Sequence, residues 1–110
     1  MTVYVDSLRI PATVGRITAR WSHLVADSDD ELHAFAARLG LRRAWAQYPG
    51  TPDSHYDVTD TKRRQAIALG AVPITLHQLS DMLTQRYEER EGGRSPAGPS
   101  RASPASTPGR

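Results

Sequence analysis

Residues 55–75 read HYDVTDTKRRQAIALGAVPIT, and this stretch decides the architecture. His55-Tyr56-Asp57-Val58 is a short extended run. Thr59 or Asp60 follows, an oxygen-bearing side chain that can accept an amide hydrogen left unpaired in a helix's first turn. Ala66 and Ile67 mark the buried face of that helix, and Gly70 supplies the left-handed backbone that stops it. Ala71-Val72-Pro73-Ile74 is the next short strand. Pro73 has no amide hydrogen to give a ladder, so this strand belongs at or near a sheet edge. Strand, helix and strand in so short a span predict a right-handed crossover between parallel strands.

The flanking sequence extends the pattern in both directions. Downstream, Thr75-Leu76-His77-Gln78 is a capping box that opens an amphipathic helix with Leu76, Leu79, Met82 and Leu83 inward, fraying near Glu91. Upstream, Gln47–Ser54 (QYPGTPDS) is a loop, and Leu41–Trp45 is read as a strand. Ser28-Asp29-Asp30-Glu31 is a second capping box with three acidic residues suited to a helix N-terminus. Leu32, Phe35, Ala36 and Leu39 then recur at helical spacing, and Gly40 ends the helix. Arg20–Val25 alternates, with Trp21, His23 and Val25 on one side and Ser22 and Leu24 on the other, which reads as a strand. A helix through Ile17, Trp21, Leu24 and Val25 is the rival reading. Thr2–Val5 is the first strand, ending at Asp6, and Ile10–Gly15 is turn chemistry. The sum is a single α/β domain over residues 1–90, in two or three layers. It has a small, mostly parallel sheet of three or four strands and about three helices.

Residues 91–110 read EGGRSPAGPSRASPASTPGR and contain no Leu, Ile, Val or aromatic residue. With nothing apolar to bury against the entropy of ordering, this tail is expected to be disordered. The absence of Cys excludes disulfides, thiolate metal sites and thiol catalysis. No apolar run reaches the length of a membrane span, and Met1 leads into a strand, so no membrane partner and a cytoplasmic location are expected. The pI near 9.4 suggests nucleic acid. Yet Lys and Arg balance Asp and Glu up to Arg90, and the formal net charge of +2 comes from Arg94, Arg101 and Arg110 against Glu91. The basic balance belongs to the tail and argues little for a nucleic-acid-binding fold.

Three histidines keep chemically interesting company. In an extended segment His55 and Asp57 point the same way and can converge on one metal ion or one proton. His23 sits in a strand and Asp6 lies just past the carboxyl end of strand one, where open α/β sheets tend to bind ligands. Asp6, His23, His55 and Asp57 are therefore the candidate metal ligands, and His23, His55 and Asp57 the catalytic candidates. Each also has a plain structural reading. The His55–Asp57 pair can hold its own loop, His23 can pack under Trp21, and Asp27 can cap the following helix. His33 suits an interfacial hydrogen bond, His77 a surface position, and Trp21 and Trp45 the core. A second signal is Asp60-Thr61-Lys62-Arg63-Arg64, cations in a helix's first turn where the dipole disfavours them. A bound anion would compensate, making Lys62, Arg63 and Arg64, with Tyr56 beside them, candidate ligand-binding residues. Ion pairing with nearby carboxylates would compensate equally. Arg42 and Arg43 are placed to extend that patch. Phosphate-loop, H-E-x-x-H, G-x-S-x-G and dinucleotide signatures are absent.

YVDSLRIP, WSHLVADSDDELHAFAARLGLRRAW and HYDVTDTKRRQAIALGAVPIT together resemble a small bacterial and phage family, domain of unknown function 4031, over residues 2–76. The matching positions are Asp6, Trp21, His23, Asp27, Leu32-His33, Phe35-Ala36, Gly40, His55-Tyr56-Asp57, Arg63 or Arg64, and Gly70-Ala71. The chain departs from the pattern at Ala46, after Trp45, where a second aromatic is usual, and at Ser7, where an acidic residue or proline is common. The resemblance implies no activity by itself. Hydrolase domains of the His-Asp metal type joined to some members imply nucleotide chemistry nearby. Three functions follow as expectations. The first is recognition of a phosphate, nucleotide or nucleic acid through the basic helix start. The second is a small metal-dependent hydrolase or nuclease that uses a divalent ion on the His/Asp cluster. The third is a non-catalytic adaptor, dimeric through Leu76–Leu83.

Overall fold

Ten consecutive residues, Ile17–Ala26, form the strand around which the domain is arranged. The computed structural model describes residues 2–92, so the tail expected to be disordered lies, beyond Gly92, outside the described residues. In chain order the elements are β1 (Val3–Val5), β2 (Ile10–Val14), β3 (Ile17–Ala26), α1 (Asp29–Arg38), a 3₁₀ turn (Arg43–Trp45), β4 (Tyr56–Thr59), α2 (Asp60–Ala68), β5 (Val72–Pro73) and α3 (Leu76–Gly92).

The first half of β3 pairs antiparallel with β2, from Ile10 opposite Trp21 to Val14 opposite Ile17. Its second half pairs antiparallel with β1, from Val3 opposite Ala26 to Val5 opposite Leu24. Trp21 and Leu24 also face Thr59 and Tyr56 of β4, so β4 occupies the other edge of β3. β5 joins the far side of β1 in the sheet's one parallel pairing. The five-stranded sheet is therefore mixed, not mostly parallel with three or four strands. β4 and β5 do run in the same direction, as their strand–helix–strand pattern predicts. However, two antiparallel strands, β3 and β1, lie between them.

Two segments depart from expectation. Ile10–Val14 is a strand, not turn chemistry; only Gly15, with φ +64°, and Arg16 make the two-residue turn into β3. Pro11 is tolerated because β2 is an edge strand. Leu41–Trp45 is not a strand: it ends in the 3₁₀ turn, with Leu41 and Ala46 against the core. Trp45 is 52% exposed instead of buried, and Trp21 is half-buried with its Nε1 donating to the Ala12 carbonyl at 2.9 Å.

The local capping signals hold at the cap residues, although Glu31 Oε1 is buried without a hydrogen-bond partner among the described residues and does not complete the box at Ser28. Ser28 Oγ accepts from the Glu31 amide at 3.2 Å, and Thr59 Oγ1 accepts from the Lys62 amide at 3.3 Å. Thr75 and Gln78 exchange both bonds, at 3.0 and 2.8 Å. Alternation along the strands gives the sheet two apolar faces. Val3, Val5, Leu24, Tyr56 and Val58 pack under α1 and α2, whose Leu32, Phe35, Ala36, Leu39 and Ala66 close the main core. Val25 and Tyr4 face the other way and meet Ile74 with Leu79, Met82 and Leu83 of α3. The result is three layers, with helices on both sides. No helix among the described residues is long and apolar enough to cross a membrane.

Candidate metal centre

The antiparallel register sets His23 of β3 directly opposite Asp57 of β4. His55 precedes Asp57 by two residues and so emerges on the same face. That face is the one α3 covers, because Val25, two residues from His23, packs against α3. One ligand-capable atom from each of His23, His55 and Asp57 lies within 4.8 Å of the other two. His55 Nε2 stands 3.5 Å from Asp57 Oδ1, and the two imidazole centroids are 5.1 Å apart, edge to face.

Each member of the trio is oriented by a partner of its own. His23 Nδ1 lies 2.6 Å from Asp6 Oδ2, and the other oxygen of Asp6 accepts from the amides of His23 (3.0 Å) and Leu8 (3.2 Å). An ionised carboxylate only accepts, so Nδ1 carries a hydrogen, and in the neutral ring Nε2 then carries the lone pair. His55 Nδ1 donates to the Asp53 carbonyl at 2.7 Å, which selects the same tautomer. Asp57 Oδ2 accepts from Gln47 Nε2 at 2.6 Å, and Gln47 is itself held by two backbone bonds to His55. Metal-binding histidines are characteristically backed by a carboxylate or carbonyl on the second ring nitrogen.

The electrostatics keep both carboxylates ionised. Asp6 is fully buried, which pushes its pKa up. Hydrogen bonds from the His23 ring and amide, the His23 charge and the Leu8 amide outweigh that push and hold it below the ordinary carboxylate range. Burial likewise pushes Asp57 up, while His55, His23 and Gln47 pull it below the usual value. The trio then offers two imidazole nitrogens and one carboxylate oxygen, a set suited to zinc, manganese or iron(II). Three protein ligands leave coordination positions for water or substrate.

The other sequence candidates go elsewhere. Asp6 is brought to the centre as the support for His23, behind the three candidate ligands. Tyr56 points into the main core, 1% exposed, with its hydroxyl 2.8 Å from His33 Nδ1. Burial raises its pKa, against the opposing pull of Arg43. His33 thus makes the interfacial hydrogen bond expected of it. Lys62 Nζ donates to the Leu39 carbonyl at the end of α1 (2.6 Å), and Arg63 Nε to the Asp6 carbonyl (2.8 Å). Arg64 reaches Thr61, and Asp60 takes a two-pronged bond from Arg9 at 2.9 and 2.6 Å. These bonds within the protein compensate cations at a helix start, and Arg63 touches the centre only through the backbone of the residue behind His23. Asp27 fastens β1, accepting from the Thr2 amide and the Tyr4 hydroxyl, while Ser28 caps α1. His77 is a surface residue beside Asp81.

Gln47 and Asp53, which hold Asp57 and His55 in place, are the supporting positions that sequence reading passes over. Both sit in the loop before β4 and act through contacts no local spacing announces. Tyr87 joins them, although the stripe Leu76, Leu79, Leu83, Tyr87 carries the helical period to it. Its hydroxyl donates to Asp53 at 2.6 Å, tying α3 to the loop beside His55.

No curated protein and no solved structure matches the chain. One family profile does, over residues 3–86, from β1 into the last turns of α3. The chain belongs to that family, described as protein of unknown function DUF4031.

Proposed function

We propose that this protein is a small divalent-metal-dependent hydrolase whose metal is held by His23, His55 and Asp57. One observation carries the reading: His55 Nε2 and Asp57 Oδ1, both acceptors when the histidine is neutral, face each other at 3.5 Å beside a second oriented imidazole. With His55 buried and Asp57 partly so, a proton or a cation between the two stabilises such a pair. The third nitrogen-bearing side chain, His23, favours the cation. A bound divalent ion lowers the pKa of its water toward about 7 and polarises a carbonyl or phosphoryl oxygen. The chain's own part is positional: Asp6 and the Asp53 carbonyl hold the ring nitrogens in register, and Gln47 holds Asp57.

The phosphate-recognition reading draws less support. Lys62 and Arg63 spend donors on Leu39 and Asp6, and Asp60 is matched by Arg9. The test is a calorimetric titration of chelator-treated protein with Zn²⁺, Mn²⁺ and Co²⁺, followed by hydrolysis assays on the loaded protein. One ion per chain is expected, with binding lost in His55→Ala and Asp57→Ala. Wild-type protein that takes up no ion stoichiometrically ends the proposal.

A further inference from the structure

The hydrolase reading leaves the substrate open, and the space in front of its two histidines bears on it. Between this face of the sheet and α3 lies a cleft of about 370 Å³, with His23 and His55 on its floor. That is the size of a small-molecule site. Its far wall is the apolar side of α3. Leu79 is buried against Val25, but the same stripe runs on as Leu83, half-buried, and Leu76, 45% exposed, over the cleft. Among the described residues that line it there is no Lys or Arg. Its one carboxylate side chain, Asp53, already accepts the Tyr87 hydroxyl.

A nucleotide or phosphodiester brings at least one full negative charge. Here the metal ion is the one cation to meet it: among the described residues no Lys or Arg lines the cleft, and the rest of the charged group would lie beside Asp53 in a largely apolar space, which is costly. A neutral carbonyl compound meets both halves of the site: its polar head reaches the floor and its hydrocarbon arm lies against α3.

We infer, resting on the hydrolase reading above, that the substrate class is a neutral carboxylic ester or amide with a short apolar acyl arm in the α3 cleft. In the step, the oxygen of a metal-bound water adds to the carbonyl carbon. The carbon–oxygen or carbon–nitrogen bond then breaks, and the alcohol or amine leaves with a proton from that water. The acyl part departs as the carboxylic acid, and no oxidant or reductant is involved.

The test uses zinc-loaded full-length protein and a series of straight-chain hydroxamic acids, whose head group chelates zinc while the chain length varies. Calorimetry should show affinity rising about threefold per added methylene, the scale of burying one CH₂ group. From acetohydroxamate to hexanohydroxamate the gain should exceed about 30-fold. Ser80→Phe fills the cleft from an exposed position, and Leu76→Asn removes part of its wall. Both should cut that gain to about threefold or less while zinc affinity is unchanged. Dimethyl phosphate should bind more weakly than hexanohydroxamate. A flat response to chain length, a full gain retained in Ser80→Phe, or tighter binding of dimethyl phosphate overturns the substrate class and leaves the metal centre standing. Failure of wild-type protein to bind zinc removes the metal centre, and the substrate class with it.

Discussion

Asp6→Asn exchanges one oxygen for an NH₂ group in a fully buried side chain and leaves the shape of the residue intact. The surroundings dictate which way the new amide faces. Two backbone donors, from His23 and Leu8, converge on one oxygen of Asp6 and require an acceptor there. The NH₂ must then face His23 Nδ1, at present 2.6 Å from the other oxygen. A donor at that position makes Nδ1 an acceptor and moves the ring hydrogen to Nε2, where it blocks coordination. Zinc affinity should fall about 10–100-fold, the usual cost of losing a metal ligand's supporting partner. Exchanging a charged acceptor for a neutral one on two amides costs about 1 kcal/mol each, so stability should fall by about 2–3 kcal/mol once the weakened ring contact is included. That is a sizeable part of a typical domain's roughly 5–15 kcal/mol, yet leaves a folded protein. Long-range ¹H–¹⁵N NMR reads the tautomer, calorimetry the zinc affinity, and urea unfolding the stability. An Asp6→Asn variant with the His23 Nδ1 still protonated and wild-type zinc affinity would refute the role given to Asp6.

Three further outcomes can be checked on the metal-free protein. The Asp6 and Asp57 carboxyls are held below their ordinary value of 3.8 in the folded state, so the unfolded chain takes up their protons first as pH falls. Their stabilisation is complete above the unfolded value and drains away as pH drops through it toward the folded values. Urea midpoints should decline below about pH 4, less steeply in Asp6→Asn. Gly40→Ala should cost about 1–2 kcal/mol in urea unfolding because φ is +83° there. Crowding is not the cause, since a Cβ would meet only Lys62 Nζ, at an ordinary 3.5 Å. Leu32→Ala, at a position 1% exposed on the inner face of α1, should cost about 2–5 kcal/mol in the same assay.

Helix α1 was legible from one end to the other. Ser28, the Leu32-Phe35-Ala36-Leu39 stripe and Gly40 act within a dozen residues, and nothing distant changes what they dictate. The same holds for His55 and Asp57, which share a face because strand alternation is a local property. Asp6 and His23 could be named as candidates, since the one follows the carboxyl end of a strand, where ligands tend to bind, and the other is a histidine within a strand. Their juxtaposition with each other and with His55 and Asp57 could not be derived, because the first depends on β1 pairing with β3 and the second on β4 taking the other edge of β3. Strand direction from β4 to β5 was encoded by the intervening helix, but adjacency was not. Which strands fill the space between them is settled by pairing across the sheet.

The basic start of α2 shows the limit most clearly. In the sequence, the visible partners for these charges are near neighbours, yet Asp60 takes Arg9, fifty-one residues away, and Arg63 takes the Asp6 carbonyl, fifty-seven residues away. Local chemistry, in caps, stripes and alternating faces, was set by the sequence alone through bond geometry that spans a few residues. Which charged groups were consumed by the protein itself, and which polar atoms were left converging on one point before a cleft, was decided only when distant segments packed together.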